Sequence, residues 1–334
     1  MTSYNTLLNE QEVYRDLPKN LCSKDSLLFS KEFSREMPSM VQYNYKNIYI
    51  NSEEYLWKKL KFLKQTFFRR ESRKKETISN FKFLVKSFFK RKRIIDDGLW
   101  LIDNWSYGYF HWFADVLQKY IALNPKKSKL ILPHFYSQYE YIVSSSKLLG
   151  IELFFIEEKE IIKCKKLTII PTSFISGNFY PKLITKLNLK FKNFKQTKNH
   201  FNKIIYVSRN KSTRRKVYNE EELIKTIKQH NGNVFYFENL NLEVQINLVK
   251  NCEILICPHG ASLTNLLFAE NNIKVIELRH ENSDIQNMYF SLASALKIPY
   301  YYIKCKGLNK DPHLSDIVVP INKLRKLFKQ ITLN

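Results

Sequence analysis

The stretch Tyr206–Arg279 constrains the fold of this chain most, because short apolar runs alternate in it with amphipathic segments of helical period. Ile204–Val207, Val234–Phe237, Ile254–Cys257, Val275–Leu278 and Tyr300–Ile303 read as strands. Glu220–His230, Leu242–Lys250, Ser262–Phe268 and Asp284–Leu296 read as the helices between them. Runs such as Glu253–Cys257 are apolar at successive positions, which suits strands of a parallel sheet covered on both faces. Asn219 followed by Glu222 is a helix-start signal of the capping-box kind. Such alternation predicts a doubly wound α/β domain, whose ligands bind beyond the carboxyl ends of the strands.

The first half is less regular. From Gly98 it also reads as α/β: strands at Gly98–Asp103, Lys129–Leu132, Glu152–Ile156 and Lys166–Ile170, helices at Tyr109–Leu123, Gln138–Leu149 and Pro181–Phe194. The polar, basic run Lys195–Lys203 is the expected junction. Upstream, Val41–Tyr45 and Asn47–Ile50 are weakly strand-like, whereas Leu56, Leu60, Leu63 and Phe67, then Phe81, Leu84, Val85 and Phe88, recur at three- and four-residue spacing and predict helices over 53–93. The resulting division is an N-terminal extension with basic amphipathic helices (1–95), a first α/β domain (96–198), a second (199–315) and a C-terminal helix (316–334) that could cross back to the first domain. A chain of 334 residues is long enough for two such domains.

Charge narrows the partners. The formal net charge is +24, and Lys58–Arg93 alone holds fifteen Lys and Arg against two Glu. That run is either a pair of solvated helices or a basic surface lying on an anionic membrane. Its aromatics are phenylalanines at helical spacing rather than a stacking platform, so nucleic acid is not the expected partner. No apolar run is long enough to span a bilayer, and the first residues lack the basic start and apolar core of a signal peptide. The expectation is a cytoplasmic protein, peripheral at the inner face of the cell membrane. Five cysteines without a C-x-x-C pair read as buried free thiols, and no His/Cys cluster has zinc-ligand spacing.

Several residues could carry chemistry. His259-Gly260-Ala261-Ser262 stands between a buried strand and a helix, where glycine lets a ligand approach the backbone and a helix start favours a phosphate. His259 could equally be a satisfied structural histidine. Ser208 and Arg209 follow the first strand of this half on the ligand side, with Arg214 and Arg215 in the same loop; arginine forks suit a diphosphate. Glu277 closes a later strand, where it could accept from ribose hydroxyls or pair with Arg279. In the first half, His111 and Asp115 lie four apart on one helix face, as a general base for a hydroxyl or as a hydrogen bond within the helix. No D-x-D, P-loop, G-x-G-x-x-G or G-x-S-x-G motif is present.

Together, NWSYGYFHWFADVLQKY (104–120), YVSRNKSTRRKVYNEEEL (206–223) and LEVQINLVKNCEILICPHGASLTNLLFAENNIKVIELR (242–279) resemble glycosyltransferase family 61. The resemblance covers roughly residues 100–280. It implies an α/β, GT-B-like chain of two Rossmann-like domains facing a cleft, and inverting transfer from a nucleotide-sugar, usually UDP-linked. It places Arg209, Arg214 and Arg215 at the diphosphate, with Ser208 at the same turn. His259, Gly260, Ala261, Ser262 and Asn265 fall at the nucleotide and phosphate turn, Glu277 at the nucleoside. Ser262 stands where a second glycine is common in the family. Inversion requires a base for the acceptor hydroxyl and positive charge on the departing diphosphate. The candidates for the base are Asp115, then His111, then His259. Arginines and a helix start would supply the charge with no metal or other cofactor. The expected partners are the donor and a glycan or lipid-linked acceptor in surface or capsular polysaccharide synthesis. The competing reading is a non-catalytic basic protein that binds an acidic polymer or nucleic acid on a degenerate sugar-nucleotide fold.

Overall fold

A computed structural model describes residues 3–59, 61–63, 91–173, 176–194, 202–270, 272–282 and 287–332. The chain forms two compact units, one of Met1–Gln11 with Met37–Ser176 and the other of Glu12–Glu36 with Gly177–Asn334. The division thus falls at Ser176, upstream of the basic run 195–203. The helix Pro181–Lys192 lies in the second unit.

The first unit is a mixed sheet with helices. Its strands begin with β1 (Ser3–Leu8); the two short strands that follow, β2 (Gln11–Tyr14) and β3 (Ser34–Met37), pair with each other and lie almost wholly in the second unit. Then follow β4 (Met40–Asn51), β5 (Leu56–Lys58), β6 (Lys61–Phe62), β7 (Arg91–Trp100), β8 (Lys129–Pro133), β9 (Leu153–Ile156) and β10 (Glu160–Ile169). The order is β6-β5-β4-β10-β7-β8-β9, with β1 also on β4. β10, β7, β8 and β9 run parallel, as βαβ units do. β4 joins β10 antiparallel and carries β1, β5 and β6. The helices expected from residue 53 are therefore corrected where the chain is described. Trp57 sits opposite Tyr49 in the β4–β5 ladder and stacks on its ring at 5.8 Å. Leu56, Leu60, Leu63 and Phe67 satisfy a helical spacing, but a cross-strand partner decides the conformation at Leu56 and Trp57. Residues 64–90, most of the basic run, lie outside the described residues.

The segment between β7 and β8 buries Trp112, Phe113, Ala114, Val116 and Leu117. It is a π-helix over His111–Val116 and an α-helix over Leu117–Leu123, ended by Asn124 in the left-handed region. The buried Trp112 indole donates to Ser145 Oγ at 2.8 Å.

The second unit matches its sequence pattern closely. Strands β11 (Asn202–Val207), β12 (Gly232–Phe235), β13 (Cys252–Pro258), β14 (Lys274–His280), β15 (Tyr300–Gly307) and β16 (Ile317–Val318) form a sheet ordered β12-β11-β13-β14-β15-β16. All pairs are parallel except β15–β16. The winding reverses at β11, so the carboxyl ends of β11 and β13 form a switch point, the place where such sheets bind ligands. Helices Glu220–Gln229 and Ile321–Thr332 cover one face, closing a core of Ile204, Tyr206, Leu223, Ile254, Ile276, Leu324 and Phe328. The helix expected to cross back to the first domain thus packs on its own unit. Asn219 does not cap its helix as expected. Its side-chain amide donates to the Val319 carbonyl and its oxygen accepts from the Val319 amide, both at 2.9 Å.

Residues 12–36 complete this unit. Phe29 is fully buried against Phe290 and Tyr302, and the Arg279 guanidinium lies 4.9 Å from its ring centre. Asp25 accepts from Tyr302 and from Lys304, each at 2.9 Å. Four cysteines are buried free thiols and Cys22 is exposed. Among the described residues no helix is long and apolar enough to cross a membrane.

Candidate functional site

The turn after β11 holds Arg209, Arg214 and Arg215. Ser208 is fully buried, its hydroxyl donating to Glu220 Oε1 at 2.7 Å and accepting from the Asn210 amide. Its capacity is spent inside the turn. Arg209 is 8% exposed. It reaches Ser212 Oγ at 3.0 Å, and its guanidinium packs against Gly260 in the turn after β13. A Cβ at position 260 would stand 2.1 Å from Arg209 Nη1. Gly260 has extended backbone, φ 164°, so glycine is needed here for space and not for an unusual φ. Arg215 follows in the left-handed region, and Arg214 is exposed.

Neither Arg209, which is buried, nor Arg215, which is half-buried, has an ion-pair partner in this turn. The Nε atoms of Arg209 and Arg215 are buried with no hydrogen-bond partner, and no ion pair joins either to a carboxylate among the described residues. Burial pulls both guanidiniums below their ordinary value, and for Arg215 the adjacent charge of Arg209 adds to it. Uncompensated positive charge in a desolvated turn is a built receptor for an anion.

A second network lies beside it. Glu277, fully buried on β14, accepts from Tyr300 at 2.5 Å and from His259 Nδ1. Burial pushes its carboxyl up, but His259, Arg279 and these hydrogen bonds outweigh that and hold it below the usual carboxylate range. Burial pulls His259 down against the pull of Glu277. With Nδ1 against the Glu277 carboxylate, the ring donates from Nδ1 and leaves Nε2 for another partner. Tyr300 also links Glu277 to Arg279, 3.2 Å away, and Arg279 bonds Asn287 at 2.8 Å. The sequence alternatives for Glu277 were ribose and Arg279. Its carboxylate is engaged by His259 and Tyr300.

The remaining sequence candidates separate. Ala261 is exposed and Ser262 half-buried at the start of a 3-10 helix, Ala261–Phe268, where a regular α-helix was expected. Its first amides are unpaired within the helix, as at any helix start. Asn265 is fully buried and donates to Gln245 Oε1 at 2.9 Å, binding this helix to the Leu242–Lys250 helix. Sequence reasoning missed Tyr289, whose buried ring meets His259 edge-on at 5.0 Å. It also missed Tyr300 and Asn287. Each reaches the site through non-local packing that no local spacing announces.

In the first unit His111 Nδ1 lies 2.9 Å from Asp115 Oδ2. Ser176, also missed, donates to the same Oδ2 at 2.8 Å and sits 3.1 Å from His111 Nδ1. Asp115 is 1% exposed, whereas the His111 side chain is 23% exposed. A carboxylate at Nδ1 fixes the tautomer with the lone pair on Nε2. The pair stands on the π-helical turn, a distortion that recurs at functional sites.

A search of curated proteins returns no match. A model of the family described as Glycosyltransferase 61 matches residues 109–276, half of the chain, from the helix that carries His111 and Asp115 into β14. The chain belongs to glycosyltransferase family 61, and with that it is a transferase for which a sugar donor and a glycan acceptor are the general substrates.

Proposed function

We propose that this chain is an inverting, GT-B-type glycosyltransferase that takes its sugar from a nucleotide diphosphate, UDP in the first instance, without a metal. The observation that carries this reading is the pair Arg209, buried, and Arg215, half-buried, whose buried Nε atoms have no hydrogen-bond partner, at the switch point of the second unit's sheet. A diphosphate matches their forks, and Gly260 leaves the Arg209 guanidinium the room it occupies. Arg214 adds charge from the exposed part of the loop. His259 lies close enough to Arg215 to feel its charge, and the buried Glu277 stabilises the imidazole when it gains a proton.

The base is His111 in this reading, with Asp115 as the residue that orients it, because only the imidazole has an exposed face. His111 Nε2 takes the proton of the acceptor hydroxyl. That oxygen attacks the anomeric carbon from the side opposite the diphosphate. The bond to the diphosphate breaks and its electrons move onto the phosphate, where the arginines meet the developing charge. The acceptor is a surface glycan or lipid-linked oligosaccharide, and the basic run 58–93 holds the enzyme at an anionic cytoplasmic membrane face.

Calorimetric titration of the full chain with UDP, GDP and CDP, in EDTA and again with Mn²⁺, tests the donor half. The expected result is metal-independent binding of one diphosphate, lost in Arg209→Ala and Arg215→Ala. Absence of any nucleotide binding, with salt-sensitive binding of RNA or polyanions instead, would falsify it in favour of the non-catalytic binder.

A further inference from the structure

Aromatic side chains are normally buried, since each takes about 150–250 Å² of surface out of water. Three of them break that rule together in the first unit: Trp105, Tyr107 and Phe135 are 51%, 42% and 40% exposed. They sit in the turns after β7 and β8, the carboxyl edge of the parallel part of that sheet. Tyr107 meets Phe135 edge-on at 6.0 Å, and Trp105 lies 5.5 Å from the His111 ring. The platform therefore begins beside the imidazole and runs away from it.

Its far end opens into a cavity. Phe135 and His134 line a space of about 670 Å³ with Glu53, Glu157, Glu158 and Lys159. His134 is held by Glu157 at 2.8 Å. Three carboxylates against one lysine make this the wrong place for an anion, in a chain whose formal charge is +24. Carboxylates accept from hydroxyls, and the negative faces of aromatic rings take the positive C–H edges of a sugar ring. A cavity of this size, with one aromatic wall at Phe135 and otherwise polar and charged lining, suits a hydroxyl-rich molecule or a short oligomer.

We infer that Trp105, Tyr107, Phe135 and the adjoining cavity form an acceptor subsite for an uncharged oligosaccharide, seating successive pyranose rings on the aromatic faces and leading the terminal hydroxyl to His111. This rests on the glycosyltransferase reading for its orientation, but binding itself does not need the donor. It excludes an acidic polysaccharide as the chain bound at this surface.

The test is saturation-transfer NMR and titration of the full chain with neutral tetrasaccharides (gluco-, galacto-, manno- and N-acetylglucosamine series) and with oligogalacturonate. At least one neutral oligomer is expected to bind more tightly than the anionic one. Phe135→Ala and Tyr107→Ala should each weaken it about tenfold, a conversion of roughly 1.4 kcal/mol for one lost ring contact. Phe135→Trp should restore it. UDP titration of the same variants should be unchanged, which also shows that they are folded. If no neutral oligomer binds, if the anionic one binds better, or if both alanine variants bind as the parent does, the subsite is overturned. Glycan binding without nucleotide binding would sink the donor assignment and leave this one standing.

Discussion

Arg209 and Gly260 explain each other at the scale of single residues. The guanidinium occupies the space a side chain at 260 would need. Gly260→Ala is therefore expected to displace Arg209 and lower nucleotide affinity about tenfold, while thermal unfolding moves by less than that of a core substitution; calorimetry and a melting curve together decide. Sequence reasoning placed glycine here for close approach of a ligand, and the structure adds the arginine that lies against it. His259 and Glu277 make a pH prediction. Both folded-state values lie below the ordinary 6.5 and 4.5. The unfolded chain therefore binds more protons than the folded one as pH falls through those values. Stability should be full above about pH 6.5 and decline from there down through the folded value of Glu277. Melting temperatures from pH 8 to pH 3 measure this. A Glu277→Gln variant, already destabilised at pH 7.5, should show a shallower decline below about pH 4.5, and an unchanged slope there would contradict the assignment of that carboxylate.

Elements were legible in proportion to how local their causes are. Ile254–Cys257 and Val275–Leu278 were visible because parallel strands buried on both faces must be apolar at consecutive positions. β13 and β14 extend them by only one or two residues at each end. Leu242–Lys250 was placed to the residue, helped by Asn241, whose side chain accepts from the Val244 amide at 2.9 Å. Asn241→Ala should cost about 1 kcal/mol of stability by denaturant titration. Leu56–Lys58 went the other way because Leu56, Leu60 and Leu63 imitate helical spacing, while the deciding partner, Tyr49, lies across a ladder. Ser176, Tyr300 and Asn287 were invisible for the same reason: each meets its partner through the fold and not along the chain. Asn219 carried a correct helix start for an incorrect reason, since the backbone at Val319 outcompeted its own helix for the amide.

The consequential surprise in the whole molecule is that residues 12–36, read as part of a separate extension, belong to the second unit. Phe29 closes the far side of the network that runs from Arg279 through Tyr300 to Glu277 and His259. Phe29→Ala removes a fully buried ring, with an expected loss of about 3–5 kcal/mol, read by thermal or urea unfolding. If stability instead changes by less than about 1 kcal/mol, the segment is an ornament on the unit and not part of its core.

That arrangement sets an order of events during synthesis. Phe29 is made long before Arg279, Phe290 and Tyr302 exist to receive it, and residues 37–176 are threaded into another unit in the interval. The second unit therefore cannot finish its core until the ribosome has passed residue 302. Until then an apolar segment waits in water, at the entropic disadvantage of a long loop still to be closed.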